Sequence, residues 1–130
     1  MNLIDKLKLT PITALDDYQT EVINEREVLL TAKVTEKSLN LYGMAHGGYL
    51  FTLADSVAGL TTVAGGVYSV TLQSNIHYMK AAKLEDTLSV TGRCTHDGSR
   101  TKVIEVTIQN QDKKLIATAS FTMFVTGKVE

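Results

Sequence analysis

The sequence is poor in residues that cross-link, break or anchor a chain. Its 130 residues include one cysteine, Cys94, and one proline, Pro11. A single thiol excludes an internal disulfide and a Cys-rich zinc site. Its place in the alternating stretch Leu88–Cys94 reads as a small apolar strand residue. The three histidines, His46, His77 and His96, are scattered, without metal-ligand spacing. Neither a metal nor a cofactor is therefore expected. No Pro/Ser-rich linker, charge block, repeat or low-complexity tract divides the chain, so one domain over residues 1–130 is expected. No apolar run approaches the roughly 18 residues of a membrane span. The N-terminal stretch MNLIDKLKLT is amphipathic and lacks the long apolar core of a secretory signal. A cytoplasmic protein without a membrane partner is the expectation. Nor is there an excess of charge: 13 basic residues face 14 acidic ones, which argues against nucleic acid as a partner.

What is present suits one packed core. The composition is 44% hydrophobic and 21% charged, and a chain this long can bury about two-thirds of its surface on folding. Leu3, Ile4 and Leu7 fall at helical spacing over residues 3–9, ahead of Pro11. Strand character follows over Ala14–Ile23 and Val28–Thr35. In the second stretch Leu30, Ala32 and Val34 alternate with Thr31, Lys33 and Thr35. Residues 40–48 read as a loop, with Gly43, Gly47 and Gly48 as breakers. Tyr49–Ala64 holds no Lys, Arg or Glu and is apolar nearly all round, the mark of a buried helix. Gly65-Gly66 ends it. Everything beyond reads as strand: Val67–Met79, then alternation around Leu88 and Val90, around Ile104, Val106 and Ile108, and from Leu115 to Met123, with Asp97-Gly98 as a hairpin turn. One apolar helix with five or six long antiparallel strands predicts an α+β fold in which the sheet curls around the helix. Its open strand edges invite a second copy of the chain.

Two features do not belong to a plain core helix. Thr52, Asp55, Ser56, Gly59 and Thr62 form a stripe of small and polar residues on the apolar cylinder, with Asp55 its only charge. A carboxylate there is costly unless paired or facing a wet cleft. An interior helix glycine costs about 1 kcal/mol relative to alanine and often marks close approach of another chain or a ligand. Directly before the helix stands Ala45-His46-Gly47-Gly48. Unpaired N–H groups at a helix start, made accessible by glycines, can stabilise an oxyanion. On spacing alone both features keep a simpler reading: a solvated stripe, and a flexible loop carrying an ordinary histidine.

The combination is more specific than its parts. The run Asn40-LYGMA-HGGYLFTLAD-Ser56 resembles the signature of the PaaI-like (phenylacetic acid degradation type) hotdog-fold acyl-CoA thioesterases. The later stretch Asn75-IHYMKAAKLEDTL is similar to that family's third strand and following turn, and the spacing of elements fits over Thr13–Gly127. One departure is visible: Lys80-Ala81-Ala82 stands where the family commonly has a proline.

The resemblance implies a hotdog fold, a curved antiparallel sheet wrapped on one long helix, assembled as a homodimer and further as a homotetramer. It implies a composite site at the dimer interface. There Asp55 is nucleophile or general base on an acyl-CoA thioester, and the Gly47 backbone N–H is the oxyanion donor. Asn40 and His46 orient the thioester or the catalytic groups, and Thr71 helps to place water or the acid. A cationic rim for the phosphates of CoA is expected among Lys80, Lys83, Arg100 and Lys102. Such chemistry is economical, since a thioester carbonyl is electrophilic and its thiolate departs without strong acid help. Two other readings are a hotdog-fold dehydratase or hydratase, whose HFPG-type and N-P-x-H loops are absent, and a non-catalytic acyl-binding module, to which a buried acid offers nothing.

Overall fold

The computed structural model describes residues 2–130; the expectation of one domain includes Met1, which lies outside the described residues. A one-turn helix α1 (Leu3–Lys6) leads into strands β1 (Tyr18–Asn24) and β2 (Glu27–Lys33). After a short 3-10 turn (Glu36–Ser38) comes the long helix α2 (Gly47–Ala64). Four strands follow: β3 (Val67–Tyr78), β4 (Thr87–Asp97), β5 (Thr101–Gln109) and β6 (Leu115–Lys128). They form one antiparallel sheet in the order β1-β2-β4-β5-β6-β3, with α2 across one face. This is the expected α+β arrangement.

The period-two alternation of the sequence is what wraps the helix. Leu30 and Ala32 on β2, Leu88 and Val90 on β4, and Ile104, Val106 and Ile108 on β5 all point inward and are buried. Against them α2 buries Leu50, Leu53, Ala54, Val57 and Ala58, and Phe51 packs on Phe121 of β6 with ring centroids 5.6 Å apart. The helix lies tight against the sheet at Gly92. A Cβ there would fall within the space of the Thr61 hydroxyl and the Val57 methyl. By contrast, among the described residues nothing lies within 4 Å of a Cβ built on Gly59, so α2 is open there, whereas Thr62 of the same stripe is buried.

Boundaries differ from the sequence reading: α2 begins at Gly47 rather than Tyr49, β2 ends at Lys33 rather than Thr35, and the N-terminal elements are shorter. Helix α1 stops at Lys6, and Leu3, Ile4 and Leu7 remain exposed. A short helix without tertiary support does not propagate. Strand β1 begins only at Tyr18, since Leu15 takes a left-handed backbone, φ 64°, that interrupts an extended run.

Strand β3 closes the sheet at one edge and, among the described residues, pairs with β6 alone. Pairing slips between Thr71, opposite Met123, and Gln73, opposite Thr122, which leaves Leu72 as one extra residue in β3. That bulge governs which side chains meet the helix.

Candidate active site

The site is built from the start of α2, the loop before it, and β3. In the loop, Asn40 is a scaffold. Its side-chain oxygen accepts from the backbone N–H of Tyr42 (2.8 Å) and Met44 (3.1 Å). The Asn40 N–H donates to the Met44 carbonyl, closing a turn around Gly43, whose φ of 78° suits glycine. His46 caps the helix: its Nδ1 accepts from the Gly48 N–H at 2.8 Å, so that nitrogen carries no proton. The intrahelical ladder begins with the Leu50 N–H on the His46 carbonyl. Among the described residues the Gly47 N–H has no hydrogen-bond partner. It is an unsatisfied donor at the positive end of an 18-residue helix.

Asp55 lies two turns on, half-buried. It is not an isolated charge: the Thr71 hydroxyl donates to its Oδ1 at 2.6 Å. Next to Leu72, Thr71 thus fixes one carboxylate oxygen, and among the described residues the other has no hydrogen-bond partner. Further along the same face, Thr62 and Ser69 share a hydrogen bond of 2.7 Å.

The structure therefore brings the expected residues together as two clusters. Asn40, His46 and Gly47 form one; Asp55 and Thr71 form the other. Eight residues of helix separate Gly47 from Asp55, an axial distance of about 12 Å. One chain's carboxylate cannot reach a carbonyl held at its own Gly47.

Two clefts of about 390 Å³ each flank the loop and share Asn40, Tyr42 and Gly47. One is lined by Leu9, Leu41 and His46, the other by Met44, Leu50, Tyr78 and Lys80. Of the expected cations, Lys80 is exposed at the second cleft. Lys83 is exposed and paired through its backbone with Met44. Arg100 is exposed on the β4–β5 turn, at the opposite end of β4. Lys102 departs from the expectation of a free rim cation. Its side chain is buried and its ammonium donates to Asp97 and to the Gly98 carbonyl. Asp97 also pairs with Arg26 at 3.2 Å, and these bonds hold its carboxyl below the usual range, with Lys102 the larger cause. Among the described residues no group of three or more His, Cys, Asp or Glu side chains converges as a metal would need. No helix there is long and apolar enough to cross a membrane.

Sequence reasoning missed Tyr78. Its hydroxyl donates to the Gly47 carbonyl at 2.9 Å, and burial pushes that hydroxyl's pKa up. Tyr49, the other tyrosine at the start of α2, is buried and its hydroxyl is pushed up to about 12, first by burial and then by Asp16 and Asp17.

Residues 42–117, which run from the loop to β6, match the model of the thioesterase superfamily. The chain belongs to that superfamily. It is 32% identical over 95 residues to acyl-coenzyme A thioesterase PaaI of Escherichia coli K12, covering 73% of this thioesterase and 68% of that one. Its structure resembles that of a hypothetical thioesterase from Streptococcus pneumoniae TIGR4 solved with coenzyme A. The TM-score is 0.93 and the identity 46%, over 95% of this chain and 100% of that one. The same pneumococcal protein has also been solved with a threonine, and separately an aspartate, changed to alanine. A third likeness is smu.793 of Streptococcus mutans UA159, bound to acetyl CoA, at 50% identity and a TM-score of 0.86 over 92% of this chain and 96% of that one. The superfamily membership and these structures agree with the hotdog fold implied by the HGG run.

Proposed function

We propose that this thioesterase hydrolyses an acyl- or aryl-acyl-CoA thioester to the free acid and CoA, acting as one domain in a homodimer, further paired into a homotetramer, in the cytoplasm. The observation that carries the reading is a pair of prepared groups. A half-buried carboxylate is steered by a hydroxyl at 2.6 Å, and an unpartnered glycine N–H stands at the start of the same helix. Because the two lie about 12 Å apart within one chain, the working site combines Asp55 of one copy with the Asn40–Gly47 loop of another. The open space at Gly59 and the outer edge of β3 leave room for that copy.

In the reaction, the thioester carbonyl oxygen accepts from the Gly47 N–H as it gains charge. Asp55 takes the proton of a water that attacks the carbonyl carbon, or attacks it directly as nucleophile. The carbon–sulfur bond then breaks and the thiolate of CoA leaves, taking up a proton; on the nucleophilic route water next hydrolyses the mixed anhydride left on Asp55, releasing the acid and restoring the carboxylate. Asn40 and His46 hold the loop in shape through the backbone bonds they accept. Lys80, Lys83 and Arg100 are the cations available to the phosphates of CoA. The two altered positions in the pneumococcal relative support the assignment of Asp55 and Thr71. They lie sixteen residues apart, the same separation as this pair.

The test is release of free thiol from a panel of acetyl-, medium-chain acyl- and aryl-acyl-CoAs, with light scattering on the same sample. Turnover of at least one thioester by a dimer or larger assembly is expected. A monomer at micromolar concentration would overturn the composite site, and no thiol release from any member would overturn the hydrolase.

A further inference from the structure

Thr71 and Tyr78 are seven residues apart on β3, and in a regular strand side chains at an odd separation face opposite sides of the sheet. Here both hydroxyls meet α2: Thr71 on Asp55 and Tyr78 on the Gly47 carbonyl. The extra residue at Leu72 makes this possible, since it shifts the register by one and reverses the inward face of the rest of the strand. Ser69 and Thr71 face the helix before the bulge; Ser74, Ile76 and Tyr78 turn inward after it. Bulges cost regular pairing and are over-represented beside sites where a side chain must be re-aimed.

The group that Tyr78 reaches needs support. Two consecutive glycines open the helix, and glycine backbones are the loosest of all. The peptide between Gly47 and Gly48 is gripped from both sides: its carbonyl accepts from the Tyr78 hydroxyl at 2.9 Å and its N–H donates to His46 Nδ1 at 2.8 Å. The Tyr78 ring also rests against Gly47, where an added Cβ would stand 3.4 Å from the ring's hydroxyl end. Hydrogen bonds at the two ends of one peptide polarise and strengthen each other.

Resting on the hydrolase reading above, we propose that Tyr78 is a positioning residue. With the His46 ring it clamps the Gly47–Gly48 peptide, so that the helix's first turn keeps its shape and the Gly47 N–H stays available to the substrate oxygen. Burial favours the protonated phenol, so Tyr78 remains a donor at neutral pH.

Tyr78→Phe keeps the ring and removes the donor. Two readouts are taken on the full-length variant: steady-state hydrolysis of the best thioester, and exchange of the Gly48 amide by NMR. The expected result is a kcat lower by about five- to ten-fold, an unchanged KM, and faster exchange at Gly48. Unchanged kcat, unchanged exchange, or a change in KM alone overturns the proposal. Should the parent protein hydrolyse no thioester, the hydrolase reading falls. The clamp is then decided by the exchange rate, faster supporting it and unchanged overturning it.

Discussion

The Thr71 hydroxyl holds Asp55 Oδ1 at 2.6 Å, from an edge strand to the one charged residue of α2. A hydrogen bond to a charged group contributes about 1.5–3 kcal/mol when buried, and less from a side chain as exposed as that of Thr71. Here it also leaves the carboxylate one oxygen with no hydrogen-bond partner among the described residues. Met123 Sδ lies 3.6 Å from the same hydroxyl, so Thr71 sits between a soft apolar contact and the acid.

Removing that hydroxyl without changing shape isolates its role. Thr71→Val should lower turnover roughly ten-fold or more, with little change in melting temperature because Thr71 is exposed. Steady-state kinetics and thermal unfolding of one variant decide it; parental turnover would assign Thr71 to the strand alone.

Gly92 makes a prediction about the fold alone. It lies where β4 touches Val57 and Thr61 of α2, and a methyl group has no space there. Gly92→Ala should destabilise the protein by about 1–3 kcal/mol, the usual cost of overpacking, as measured by denaturant unfolding. Gly59→Ala, with open space around it, should leave the stability of a dissociated chain nearly unaffected or raise it.

The Asp97 cluster predicts a pH dependence of stability. Its carboxyl is held down by Lys102 first and Arg26 second. A depressed acid contributes stability in full above its unfolded pKa, about 3.9, and loses it as pH falls through the folded value. Asp97→Asn should therefore lower the melting temperature at pH 7 and leave the Lys102 ammonium without its counter-charge. The gap between parent and variant should narrow as pH drops below about 4. A gap that stays constant down to pH 3 would contradict the ion-pair account.

Much of this molecule could be read from the chain because its strands follow a simple period. Leu30, Ala32 and Val34, then Ile104, Val106 and Ile108, alternate with polar residues and bury as that pattern requires. The buried helix and the HGG loop were visible from the absence of Lys, Arg and Glu and from the glycines. Strand β3 was harder. A one-residue bulge leaves no mark in composition, yet it decides that Tyr78 faces Gly47. Lys102 looked like a surface lysine because pairing it with Asp97 depends on how the hairpin folds back. Leu3, Ile4 and Leu7 fit a helical pattern, but periodicity does not reveal that they stay exposed.

The most direct measurement of the central claim is turnover by Asp55→Asn. The amide preserves shape and can still accept from Thr71, so the variant should assemble, keep a melting temperature close to the parent's and bind a non-hydrolysable acyl-CoA at least as well. Its turnover should fall by at least about 10²-fold, the lower end for loss of a general base. A folded Asp55→Asn protein that releases thiol at the parental rate would contradict the account.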